Sequence, residues 1–190
     1  MFTEEQANDP TIKWASEQAL SLLPPLGNRW LHVQGVVKQA QWVSKMFDKD
    51  DQIALIAAAY LHDIGYALQL KKTGFHPIDG ACFLQSCNED RLASLVAYHS
   101  EAQFEAKLRG FEAALEKFPR EHSAVADALT YCDLTTSPTG KQISFEERLA
   151  DIASRYNKED IVFQAMQQAM PTWKQTLDRA QEALHKHGLI

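Results

Sequence analysis

Cysteine is scarce. The 190-residue chain has three, Cys82, Cys87 and Cys132, an odd number with no CxxC pair, which excludes a disulfide framework and fits a reducing compartment. A surplus of cations is missing as well: Lys and Arg number 19 against 25 Asp and Glu, for a formal charge of −6, and no basic cluster is longer than Lys71-Lys72. That balance argues against a nucleic-acid surface. Long apolar runs are absent too. The longest, Ile53 to Leu61, ends in His62-Asp63 and falls far short of the ~20 residues of a membrane span. The opening Met1-Phe-Thr-Glu-Glu-Gln has neither the basic start nor the apolar stretch of a signal peptide. The expectation is a cytoplasmic protein that engages neither nucleic acid nor membrane.

No run of alternating apolar and polar residues reads as a strand. Helical periodicity, by contrast, recurs almost throughout. Trp30, Val33, Val37, Ala40, Val43 and Phe47 follow three- and four-residue steps, and Ile53, Ile56, Ala57, Tyr60, Leu61 and Ile64 form a second stripe. Leu92, Leu95 and Val96 make a third, and Val125, Ala128, Leu129 and Cys132 a fourth. A long final segment, about 158–187, is periodic as well, with Pro171 expected to kink or break it near Ala169–Met170. Pro24-Pro25-Leu-Gly27, Lys71-Lys-Thr-Gly74 and Ser137-Pro-Thr-Gly140 punctuate these stretches, and Pro77 suits the first turn of a helix opening near His76. With 45% hydrophobic residues the chain can bury a full core, and the fold class expected is all-α, a compact helical bundle.

Polar residues fall where such a core would not choose them. His99 continues the Leu92–Leu95–Val96 stripe, and Asp133 lies four residues past Leu129 and eight past Val125. Asp63 lies three and seven residues after Tyr60 and Ile56. A buried carboxylate costs several kcal/mol unless it is paired or holds a cation, and a metal centre would account for these inward carboxylates and imidazoles together. His62 and Asp63, as neighbours, diverge by about 100° within an ideal helix. At a fraying helix end they can converge, and Gly65 gives the backbone freedom to turn there.

The order His32…His62-Asp63…His76…His99…Asp133 resembles the HD superfamily of metal-dependent phosphohydrolases, with His62-Asp63-Ile64-Gly65 as its HDIG variant. Arg29-Trp-Leu-His32-Val-Gln-Gly-Val36 resembles the family's first His helix, and His76-Pro-Ile-Asp-Gly-Ala81 is similar to the segment giving the third His in the two-metal branch. Tyr98-His99 looks like the fourth His, and Ala128-Leu-Thr-Tyr-Cys-Asp133 is similar to the closing Asp segment. Thr135-Thr-Ser-Pro-Thr-Gly140 is similar to an uncharacterised bacterial HD group. The resemblance implies an HD-type core over residues 28–156, preceded by a helix and linker at 1–27. A C-terminal helical extension, 157–190, is expected to pack on the same domain.

By the same resemblance, His32, His62, Asp63 and Asp133 hold a first divalent ion, and Asp63 bridges to a second held by His76 and His99. Iron or manganese suits such ligands. Asp63 is the catalytic residue implied, and Arg29, Lys71 and Lys72 are the candidates for holding a phosphate. The reaction implied is hydrolysis of a phosphate ester or anhydride by a metal-activated water, on a nucleotide or other small phosphorylated metabolite. Alternatives are a di-iron oxygenase cleaving a C–C or C–P bond and a non-catalytic nucleotide-sensing module. Tyr66 stands where cyclic-dinucleotide phosphodiesterases of the family carry Lys, and their GYP signature is missing, which argues against a cyclic dinucleotide. Specificity is expected in the loops Gln69–Phe75, Glu101–Arg120 and Thr135–Ser144. His122, His185 and His187 read as surface groups, Cys132 as a small buried residue, and Trp14, Trp30, Trp42 and Trp173 as packing. A homodimer through the C-terminal helices, at Met166, Met170 and Trp173, is a further expectation.

Overall fold

The computed structural model describes residues 6 and 8–190. Met1–Glu5, read above for a leader and as the start of the unit 1–27, lie outside the described residues, as does Ala7. The described residues form ten α-helices and four short 3-10 turns with no strand; one antiparallel bridge joins Thr136 to Gln142. In chain order the helices are α1 (Pro10–Leu22), α2 (Asn28–Val43), α3 (Lys49–Leu61), α4 (His76–Ser86) and α5 (Asp90–Tyr98). They continue as α6 (Gln103–Arg109), α7 (Glu112–Leu115), α8 (Ala124–Leu134), α9 (Phe145–Arg155) and α10 (Ile161–Lys186). None of them is long and apolar enough to cross a membrane.

Helix α3 is the hub. Asp48 caps its start by accepting from the Asp51 amide at 3.1 Å, an interaction worth about 1 kcal/mol. Every side chain from Ala54 to Ala59 is buried, and Leu61 with them. A helix apolar all round has to be wrapped by others, and α1, α2, α5 and α8 pack around it. Its C-terminal end, where His62 and Asp63 follow, is therefore driven into the middle of the bundle. Helix α4 packs on α5 and on the 3-10 turn Ile64–Tyr66, while α10 packs on α6 and α8.

Two sequence expectations are corrected. Helix α10 is not broken at Pro171. Pro171 is exposed and the carbonyl it deprives of a partner belongs to exposed Gln167, while Ala165, Met166, Ala169, Trp173, Leu177, Ala180 and Leu184 are buried along one stripe. Packing of that stripe holds both halves in one helix, at the cost of one solvated carbonyl. The stretch 101–120 is not a loop but holds α6 and α7, anchored by buried Ala102, Ala106, Leu115 and Phe118 and separated by Gly110 at φ 73°.

Helix α2 touches the loop after α8 backbone to backbone. A Cβ on Gly35 would stand 2.6 Å from Gly140 Cα and 2.7 Å from Thr136 Cγ2. Only glycine lets the loop close down there, and that loop supplies the carbonyl that orients His32. Gly35→Ala should therefore destabilise the fold by about 1–3 kcal/mol, read as a fall of several degrees in Tm by calorimetry. An unchanged Tm would contradict the close approach.

Candidate metal centre

Five segments bring their polar groups to the end of α3. Helix α2 contributes Arg29 and His32, one turn apart on its inner face. His62 is the last residue of α3 with helical dihedrals, and Asp63, at φ −100° and ψ 8°, turns out of the helix into Ile64–Tyr66. The two side chains thereby converge, as expected of a fraying end. Gly65 allows α4 to start directly against this turn. A Cβ there would run into the His76 carbonyl and lie 2.6 Å from the Gly80 nitrogen. His76 opens α4, and buried Asp79 fixes the preceding loop by accepting from Thr73 N at 2.8 Å, Gly74 N at 2.9 Å and Thr73 Oγ1 at 2.9 Å. His99 follows α5 in extended conformation, and Ser100 and Glu101 take positive φ of 50° and 59°. Such values are costly for residues with a Cβ. Asp133 lies in the last turn of α8.

The side chains meet around Asp63, which is 2% exposed. Its Oδ2 lies 3.3 Å from His62 Nε2 and 4.0 Å from His32 Nε2, and accepts from Arg29 Nη1 at 2.6 Å. Its Oδ1 lies 3.3 Å from His76 Nε2. One carboxylate oxygen thus faces each histidine pair. The ligand atoms of His32, His62 and Asp63 all lie within 4.8 Å of one another, as do those of Asp63, His76 and His99. Asp133 joins through His32: its Oδ1 is 2.9 Å from His32 Nε2 and 3.3 Å from Arg148 Nη2, and its Oδ2 accepts from Ser100 Oγ.

Three of the imidazoles are oriented by backbone carbonyls. His32 Nδ1 donates to Ser137 O at 3.1 Å, His62 Nδ1 to Ala59 O at 2.8 Å and His99 Nδ1 to Val96 O at 2.6 Å. A carbonyl only accepts, so Nδ1 carries a proton in each ring and Nε2 is the atom turned to the centre. His62 Nε2 is fully buried and has no hydrogen-bond partner. His76 Nε2 and His99 Nε2 are 3.2 Å apart. Two ligand atoms at about 2.1 Å from an ion in an octahedral arrangement stand about 3 Å apart. An orphaned ring nitrogen, converging lone pairs and a shared carboxylate are what a divalent cation of the N/O-preferring kind needs, and these residues fit one.

Charge supports the same reading. Burial disfavours the Asp63 carboxylate, yet Arg29 and His62 outweigh it and hold the group well below the usual carboxylate range. Burial opposes Asp133 in the same way, and His32 and Arg148 keep it ionised. Burial, reinforced by His99 and Arg29 against the pull of Asp63, pushes His76 well below the usual imidazole value. Burial and the neighbouring His62 lower His99. His62 is also opposed by burial, but Asp63 raises it above the usual value, so a cation binding there displaces a proton.

The cavity above this centre measures about 140 Å³, with Asp63, His76, His99 and Asp133 along its floor. Arg29, Arg148 and Arg155 line it together with Tyr66, which stacks on His76 at 4.0 Å between ring centroids and carries the Arg29 guanidinium 4.2 Å over its ring. Tyr66 thus orients a histidine and an arginine at once. Lys71 and Lys72 are exposed in the loop before α4 and are not among the lining residues. Arg148 and Arg155, to which the sequence pointed less plainly, line the cavity beside Arg29. Their signal was the spacing 148, 152, 155, which puts two arginines and Ile152 on one helix face. Met166 and Trp173, named above for a homodimer that would need them partly exposed, are not exposed. Both are buried, and Trp173 Nε1 donates to the Ser100 carbonyl at 2.9 Å, so they turn to the cavity. His122, His185 and His187 are exposed, and Cys132 is buried with its thiol pushed up by that burial.

These shifts set the acid stability of the metal-free chain. His76 and His99 are lowered in the fold, so their contribution is full above the unfolded value of about 6.5 and is lost as pH falls and the unfolded chain takes up their protons. His62, raised, works in the opposite sense. Between pH 7 and pH 5 the denaturation midpoint of wild type should lose ground to that of His76→Ala/His99→Ala protein. Parallel curves would contradict the assignment.

The HD domain family matches residues 29–159. No curated protein and no solved structure matches the chain. The family match covers more than half of the sequence and takes in all six of the residues gathered at the end of α3; the chain belongs to the HD domain family.

Proposed function

We propose that this chain is a metal-dependent phosphohydrolase with two divalent ions, iron or manganese, acting on the phosphate ester or anhydride of a small molecule. The HD domain family includes metal-dependent phosphohydrolases. The observation that carries the reading is the division of Asp63, with Oδ1 toward His76 and Oδ2 toward His62 and His32. His32, His62, Asp63 and Asp133 would hold one ion, and Asp63, His76 and His99 the other. Ions held there supply a Lewis acid for the phosphoryl oxygens and an activated water as nucleophile.

The chain's own groups do the rest. Asp63 stays ionised and links the two histidine sets. Arg29, fixed by Asp63 and by the face of Tyr66, presents its guanidinium to the cavity and matches phosphoryl oxygens in shape and charge. Arg148 sits between Asp133 and Asp151, at 3.3 Å and 3.6 Å, so its planar head is held before any anion arrives. Charge that develops on a transferring phosphoryl group is met by donors already in place, which is where most of the rate gain in such sites arises.

The test is phosphate release from p-nitrophenyl phosphate by the full chain reloaded with Mn(II) or Fe(II), under aerobic and anaerobic conditions. Turnover should need the metal and no O₂. Asp63→Asn, which keeps the shape and removes the charge, should lower kcat by more than about a hundredfold, and Arg29→Gln should raise KM. Undiminished turnover in Asp63→Asn protein would refute the assignment.

A further inference from the structure

Above the metal-binding floor the cavity changes character. Its far wall is built from Ile152 of α9 and Val162, Ala165, Met166 and Ala169 of α10. The four α10 residues follow the spacing of one helix face, and all of them lie beyond the stretch 29–159 matched by the family. This wall is therefore supplied by the chain's own C-terminal helix. It is kept in place by the buried stripe of α10 and by the Trp173–Ser100 hydrogen bond.

The cavity offers few groups to read the edge of a nucleobase; Tyr156, with the Arg155 guanidinium 5.5 Å over its ring, is among its lining. No amide side chain lines it. Glu101 is paired with Arg120 at 2.7 Å and Glu105 with Arg109 at 2.6 Å. The aromatic faces are engaged as well. Tyr66 lies against His76 and Arg29, Phe75 is stacked on Phe111, and Trp173 is set edge-on to Phe145. A base placed on the aliphatic wall would leave its polar atoms without partners, at a cost of several kcal/mol. Arg148, by contrast, has a donor to spare. It is 8% exposed and lines the cavity, and its Nε has no hydrogen-bond partner. A buried guanidinium N–H left unpaired is costly until an acceptor arrives. Arg155 stands about two turns further along α9, exposed, paired with Asp151 of its own helix and 5.5 Å over the Tyr156 ring.

We propose that the site takes a phosphate carried on a compact aliphatic group, the wall of Val162, Ala165, Met166 and Ala169 covering the aliphatic part while Arg148 and Arg155 orient the phosphate. The proposal rests on the phosphohydrolase reading for its reaction and on the cavity for its ligand. The full chain, reloaded with Mn(II), is titrated calorimetrically with inorganic phosphate, with methyl, propyl and hexyl phosphate, and with AMP. Turnover of each ester is followed in parallel. Affinity should rise by about fourfold for each methylene that reaches the wall and then level off, with AMP binding no tighter than methyl phosphate. Arg148→Gln should weaken inorganic phosphate at least tenfold. Arg155→Gln, at an exposed position that leaves folding alone, should weaken it less. Met166→Gln should lower the ratio of hexyl phosphate to inorganic phosphate affinity. An affinity independent of chain length, or AMP binding tighter than every alkyl phosphate, overturns the ligand class. Turnover with a flat series keeps the reaction and rejects the wall; a chain-length gain without turnover keeps the wall and rejects the phosphohydrolase.

Discussion

One buried carboxylate organises this protein. Taking an ionised Asp63 out of water costs several kcal/mol, and the fold spends two arrangements on making that tolerable. Arg29 reaches it from α2 at 2.6 Å, and histidines from α2, α3 and α4 stand within 4.0 Å of its oxygens. Those histidines cannot all carry protons in so small a space. Burial and mutual repulsion keep His76 and His99 neutral, leaving lone pairs aimed at the carboxylate. The arrangement satisfies a cation better than it satisfies itself, as the orphaned His62 Nε2 shows.

The packing serves that carboxylate. Because α3 is apolar on all sides it is wrapped by four helices, and α2, α5 and α8 among them bring polar groups to its end. Gly65 and Gly80 let α4 start against the turn that carries Asp63, and Gly35 with Gly140 let the loop after α8 deliver the Ser137 carbonyl to His32. The positive φ at Ser100 and Glu101 is the local cost of turning the chain sharply after His99. It is met by bonds from Trp173 to the Ser100 carbonyl and from Ser100 to Thr130 and Asp133.

Helix periodicity was sufficient to read the fold class and most of the helices, because α2, α3, α5 and α8 each carry apolar residues at three- and four-residue steps. The six His and Asp residues were legible because their order along the chain is distinctive and the inward phase of His99 and Asp133 could be counted. What pattern counting missed depends on tertiary context. Pro171 reads as a break, but it falls on the solvent side of a helix held by its buried stripe. Residues 101–120 are too short of periodic repeats to announce α6 and α7. Lys71 and Lys72 stood out as phosphate candidates because they follow the HDIG turn in sequence, and Arg148 and Arg155 carried no such signal. In space the loop carrying them leaves the site, while α9, far along the chain, enters it. The apolar wall from α10 could not be foreseen, since a stripe facing a cavity and a stripe facing a core have the same spacing.

The central claim is that Asp63 joins two metal ions. It is tested most directly by elemental analysis of the full chain, purified without chelators and reloaded with Mn(II), wild type beside His76→Ala/His99→Ala. The account predicts about two ions per wild-type chain and about one in the double variant. One ion in both would remove the shared site, and a chain that stays empty after reloading would contradict the metal centre altogether.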